Sequence, residues 1–120
     1  MKKLNTTIED LEGHSNVHII HFDGDFDGYA KENIVDIQKF IDKCTSGNTL
    51  IFDFSKLNYL NSYAIGHLVA WHNAVSKVGG KIIIAGTNKN VEDIFAILGI
   101  SNLFKIYPDL NAATEAAKGE

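Results

Sequence analysis

The sequence predicts a single α/β domain with a mostly parallel sheet, and three observations predict it. Apolar runs rich in β-branched residues alternate with longer segments of helical period along the chain, the alternation that gives a sheet covered by helices. The runs at 49–54 and 81–85 are nearly continuous in apolar character, as strands buried on both faces are. The length, 120 residues, allows one real core and is too short for two. The expectation is one domain over 1–120, its core at about 17–116, with a central sheet of four to five strands and about four helices.

Each element follows from its residues. Thr6 to Leu11 reads as an extra edge strand. Val17 to Phe22, rich in β-branched and aromatic residues, reads as a strand that ends in the turn cluster Asp23-Gly24-Asp25-Phe26-Asp27-Gly28. Ile34, Ile37, Ile41 and Cys44 recur at helical spacing, giving a helix over roughly 29–44 that Thr45-Ser46-Gly47-Asn48 stops. Thr49 to Phe54 form a second strand, followed by a short polar turn that reaches Ser62. From there Ile65, Leu68, Val69, His72, Val75 and Val78 fall on one helical stripe, closed by Gly79-Gly80. Lys81 to Ala85 make a third buried strand. A short helix around Val91 to Leu98 ends at Gly99, with Ile100 placed for the apolar contact of a glycine C-cap. Asn102 to Tyr107 read as a fourth short strand, and Pro108-Asp109 opens an alanine-rich helix.

Composition excludes several functional classes. Hydrophobic content of 45% and charged content of 22% are those of an ordinary globular domain. A net charge of −4 argues against a dedicated nucleic-acid binder, which needs a basic face. All eleven basic residues are lysines, so no guanidinium fork exists for bidentate phosphate recognition. The lone Cys44 rules out an internal disulfide framework and fits a reducing compartment. No apolar run approaches the ~20 residues of a membrane helix. Met1-Lys2-Lys3-Leu4-Asn5 lacks the apolar stretch of a signal peptide. The expectations are a cytoplasmic protein with no cofactor, no nucleic-acid partner and no membrane insertion.

Other chemistry-bearing patterns resolve into structural roles. Asp23 to Gly28 matches the first half of a calcium loop, but Ile34 stands where the bidentate glutamate is required and a strand precedes it. The reading is a turn whose aspartates line the surface near Ser62. His18 and His21 point to opposite faces of a strand, and His67 aligns with Trp71 rather than with His72. With His14, none makes a zinc pattern. Cys44 lies in apolar helical phase and reads as core. Gly79-Gly80 is too short to cradle a phosphate, and Thr87 is explained by turn chemistry. No nucleophile–base pair can be named, so an enzyme is not expected.

Ser62 is the residue of greatest interest. Serine is a favoured N-cap, its oxygen accepting an unpaired backbone N–H of the first turn for ~1 kcal/mol. The same position suits a switch. A phosphate there adds about −1.5 to −2 charges, tolerated by the positive end of the helix dipole. Capping and switching both remain open on the residues alone.

From about Val17 to Ala116 the chain resembles the STAS domain of bacterial anti-sigma-factor antagonists. The carrying residues are Gly24-Asp25-Phe26-Asp27, the strand Phe52-Asp53-Phe54-Ser55, the helix start Asn61-Ser62-Tyr63-Ala64-Ile65-Gly66, the Gly-Gly-Lys-Ile-Ile-Ile-Ala strand, and Leu98-Gly99-Ile100 with Leu103-Phe104. The resemblance implies that Ser62 is phosphorylated by a serine-kinase-type anti-sigma factor and cleared by a PP2C-type phosphatase. It also implies that the unphosphorylated form binds the anti-sigma factor. Asp25, Asp27, Asn58, Tyr59, Asn61 and Tyr63 are then the expected partner contacts. The chain departs from the family pattern at Asn61 (usually aspartate), Tyr63 (usually small) and Ala64 (commonly glycine). An alternative of a different class keeps the fold without the switch, as a scaffold or accessory subunit of a transporter or signalling complex.

Overall fold

The computed structural model describes residues 2–119. In chain order the elements are β1 (Asn5–Asp10), β2 (Val17–Phe26), α1 (Lys31–Ile41), β3 (Thr49–Leu60), α2 (Ser62–Lys77), β4 (Lys81–Ala85), α3 (Lys89–Ile97), β5 (Lys105–Tyr107) and α4 (Leu110–Lys118). They form one five-stranded sheet in the order β1-β2-β3-β4-β5. β1 runs antiparallel to β2, and every other pair is parallel. Each parallel crossover steps one strand onward in the same direction, so right-handed connections put α1, α2 and α3 on one face. α4 covers part of the other.

Two cores follow. Under the three helices, Ile20, Phe22, Phe26, Leu50, Phe52 and Phe54 of the sheet meet Ile37, Leu68, Trp71 and Phe95. Aromatic rings fill its centre, with Phe22 5.0 Å from Phe54 and Trp71 6.1 Å from both Phe26 and Phe52. The Trp71 indole N–H donates to Gln38 Oε1 at 2.9 Å, so the largest core side chain buries no orphan donor. On the other face Val17, Ile19, Ile51 and Ile83 pack against Ala113 and Ala117, whose small side chains let α4 lie close to the sheet.

The observed elements differ from the sequence reading chiefly at strand ends. β2 runs on to Phe26 and β3 to Leu60, through segments expected as turns. Between the pairs His21–Asp53 and Phe26–Leu60, β2 advances five residues and β3 seven, with two register shifts. Such bulges reset which residues face inward. Phe54, Leu57 and Leu60 are all buried at a spacing of three, a pattern neither strand-like nor helical. α1 is shorter than expected, and single turns through Asp42, Lys43 and Cys44 finish it. β5 keeps three residues only, the preceding segment forming a turn that buries Phe104 against Phe95. Val78, expected on the buried stripe, falls just beyond α2 and is exposed, while Trp71 joins Ile65, Leu68 and Val75 on the buried face.

Candidate functional site

β4 pairs with β3 only as far as Asp53. Residues 54–60 therefore leave the sheet as a two-stranded ribbon with β2. Asn88 closes the ribbon's open edge: its side-chain NH2 donates to the carbonyls of Leu57 (2.9 Å) and Asn58 (3.3 Å). The same side chain's oxygen accepts Val91 N–H at 2.9 Å and caps α3. At the ribbon's tip Asn61 N–H donates to Phe26 O at 3.3 Å, and the chain turns directly into α2.

The N-cap of α2 is Asn61, not Ser62. Asn61 is extended (φ −110°, ψ −179°) and its Oδ1 accepts Ala64 N–H at 3.0 Å. Ser62 is the first residue of the helix, exposed, with its hydroxyl unused by the cap. Asparagine thus performs the capping without charge. No acidic residue lies in the first turn of α2, so the partial positive charge of the helix start is not neutralised locally.

The ladder brings the remaining expected residues to the same end. Asp25 pairs with Tyr59 and Phe26 with Leu60, which sets Asp25 and Asp27 beside the loop into Ser62. Asn58, Tyr59 and Tyr63 are exposed, the two tyrosines to 43% and 46%. Asp25 and Asp27, expected as surface carboxylates, are each only 8% exposed. Asp25 Oδ2 accepts Lys2 N–H at 3.0 Å while Asp25 N–H donates to Lys2 O at 3.0 Å. Asp27 Oδ1 accepts Tyr29 N–H at 2.9 Å. The N-terminal segment therefore crosses over Gly24, whose φ of +120° and 2.5 Å approach of a would-be Cβ to Lys3 O admit no other residue without strain. It walls a cavity of about 310 Å³ against Asp25, Asp27 and Tyr29.

Asp23, by contrast, faces out and takes the Lys2 ammonium at 2.6 Å; that hydrogen bond, outweighing desolvation, holds its carboxyl below the usual range. Asp23 and Asp25 are bound by the ammonium and the backbone N–H of Lys2, and Asp27 by Tyr29 N–H; among the described residues no three acidic, histidine or cysteine side chains converge as a metal site requires.

Sequence reasoning missed Tyr29, 89% exposed on the rim of this cavity. An aromatic between Gly28 and Ala30 in an acidic turn was the available signal. His67 and Trp71 are neighbours as their spacing predicts, with ring centres 5.7 Å apart, whereas the edge-on contact of His67 with Tyr63 at 4.9 Å was not foreseen. Cys44 is far in the fold from this end, in the hollow of His18, Phe40, Lys43 and Asn48, and burial pushes its thiol up, away from the reactive thiolate.

What the arrangement offers is an exposed hydroxyl on a helix start, with the exposed Tyr59 and Tyr63 near it in the chain and two buried carboxylates at the same end of the ribbon. Among the described residues no base is hydrogen-bonded to the hydroxyl.

Comparison with known proteins agrees with this fold. The family model described as the STAS domain matches residues 10–113. A curated Thermotoga neapolitana protein, named as a candidate anti-sigma factor antagonist, is 28% identical over 72 residues, covering 60% of this chain and 64% of its own length. The crystal structure of an anti-sigma factor antagonist from Mycobacterium paratuberculosis superposes with a TM-score of 0.82 at 21% identity, over 97% of this chain and 95% of that one. The STAS domain of a SulP transporter from Vibrio cholerae does so with a TM-score of 0.69 at 17% identity, over 87% and 82%. At these identities the structural likeness is one of fold.

Proposed function

Because the chain belongs to the STAS domain family, we propose that it is a regulatory binding protein of the anti-sigma-factor-antagonist type, switched by phosphate on Ser62. The observation that carries the proposal is the division of labour at the start of α2. Asn61 makes the cap, and Ser62 stays exposed with its hydroxyl uncommitted. A phosphate can be added there without dismantling the helix, and the helix dipole tolerates it.

The partners are a serine-kinase-type anti-sigma factor, which binds the unmodified face and phosphorylates it, and a PP2C-type phosphatase. Tyr59, Tyr63 and Asn58 supply the exposed contacts around Ser62, with the half-buried Asn61 beside them and Asp25 and Asp27 lining the cavity at the same end. Phosphate introduces a charge of about −1.5 to −2 into an interface that must be desolvated. A charge left unpaired at such an interface costs roughly 2–5 kcal/mol.

The test is binding of Ser62→Asp and Ser62→Ala to the anti-sigma factor encoded nearest the gene. Ser62→Asp is expected to bind at least ~30-fold more weakly. Ser62→Ala is expected to bind like the wild type and to resist phosphorylation. Wild-type affinity in Ser62→Asp would overturn the switch.

A second reading, a constitutive scaffold or transporter accessory domain, is favoured by one observation: Tyr63 stands beside Ser62, half-exposed, where a modifying enzyme must approach. Under that reading a phosphate on Ser62 is never found by mass spectrometry of protein from its native cell, whatever the growth condition.

A further inference from the structure

On the sheet face opposite α1–α3, outside the site above, one histidine ties three strands together. His21 of β2 places Nδ1 2.7 Å from Asp53 Oδ2 of β3 and Nε2 2.6 Å from Glu9 Oε1 of β1. A carboxylate accepts but does not donate, so both ring nitrogens must carry protons for both bonds to exist. The geometry therefore demands the imidazolium. Asp53 is committed on its other oxygen as well, accepting Ser55 N–H at 3.0 Å and the Ser55 hydroxyl at 2.5 Å, which fixes it as an immobile anchor. Glu9 is the mobile end of the clamp, on an edge strand whose side chains are almost all exposed.

We infer that His21 is a proton-operated latch that fastens the edge strand β1 to the body of the sheet. When His21 loses its proton, one of the two bonds is lost with it, and charge attraction to both carboxylates disappears. Burial alone would favour that neutral form. The hydrogen bonds and charges of Glu9 and Asp53 outweigh it and hold the histidine above its ordinary value of 6.5. The charged groups facing His21 are Glu9 from β1 and Asp53 from β3; Asp23 and Lys56 line the same groove, about 380 Å³, farther along.

The sign follows. The raised value belongs to the folded state, so the latch contributes fully below about pH 6.5 and is lost as pH rises through the folded-state value.

The latch also reaches the candidate site. β1 continues back through the buried Leu4 to Lys2, whose N–H donates to the Asp25 carboxylate, whose carbonyl accepts Asp25 N–H, and which walls the cavity. Releasing β1 frees that wall. Relevance to partner binding rests on the function proposed above, but the latch does not, and its test uses the protein alone.

The experiment combines ring-nitrogen NMR of His21 with amide hydrogen exchange of Thr6 to Asp10, from pH 5.5 to 9, each corrected for intrinsic exchange. The expected result is an imidazolium titrating above 6.5 and a β1 opening constant that rises with pH about tenfold for each unit of that elevation. His21→Gln should abolish the pH dependence. Glu9→Gln, a change at an exposed position that leaves the core intact, should lower the His21 titration and flatten the β1 profile even if the first variant folds poorly. A His21 that titrates at or below 6.5, or a β1 opening constant indifferent to pH, overturns the latch. So does a Glu9→Gln profile identical to wild type.

Discussion

Asn61 and Ser62 stand next to each other and do different work, and the difference is measurable. Asn61 satisfies the Ala64 N–H that would otherwise be left unpaired at the start of α2. Asn61→Ala is expected to lower stability by about 1 kcal/mol, read as a lower urea midpoint at unchanged slope. Ser62→Ala, which removes a hydroxyl outside the cap, is expected to change stability by less than about 0.5 kcal/mol. The opposite ranking would return the cap to Ser62. The sequence reading put the cap at Ser62, one residue too late. Asparagine and serine are almost equally good caps, and only the extended backbone at Asn61 decides which one holds the position.

At the scale of elements, the β2–β3 ribbon decides where the site stands. Its open edge depends on one side chain, since Asn88 both caps α3 and binds the carbonyls of Leu57 and Asn58. Asn88→Ala should cost about 1–2 kcal/mol through the cap. It should also raise hydrogen exchange in residues 54–60 relative to the core of β3. Loss of stability without the local rise would mean that the cap is its only role.

This ribbon is also where the sequence was hardest to read. The helices and the buried strands declare themselves by period, as with Ile34, Ile37 and Ile41, or the run Lys81 to Ala85. A bulged strand has no fixed period. Phe54, Leu57 and Leu60 are spaced by three because two extra residues sit in β3, and the polar residues between them look like a turn. The candidate site was legible in its residue types, because Ser62 and its neighbours lie in one short segment. The burial of Asp25 and Asp27 was not, because it is made by the Lys2–Leu4 segment, more than twenty residues away in sequence. The same is true of the His21 bonds to Glu9 and Asp53, which no local pattern announces.

On the scale of the whole molecule, the two faces of the sheet are held by unequal means. Three helices and a bed of aromatic rings secure one, while α4 alone secures the other through two alanines. Ala113 is fully buried against the sheet, so Ala113→Leu is expected to lift α4 and cost about 1–3 kcal/mol by overpacking. Thermal unfolding of that variant should show the loss, whereas stability equal to wild type would mean that the face has room to spare.

The sequential strand order has a consequence for how the protein is made. Because each strand lies beside its predecessor, the sheet can be laid down edge by edge as the chain leaves the ribosome, without waiting for a distant segment. α4 breaks that rule: it follows β5 yet packs back as far as β3. Until it emerges, Val17, Ile19, Ile51 and Ile83 stand open to water and to the same surface on neighbouring nascent chains. Between the synthesis of β5 and the docking of α4 that apolar face is open to aggregation, and a chaperone can hold it.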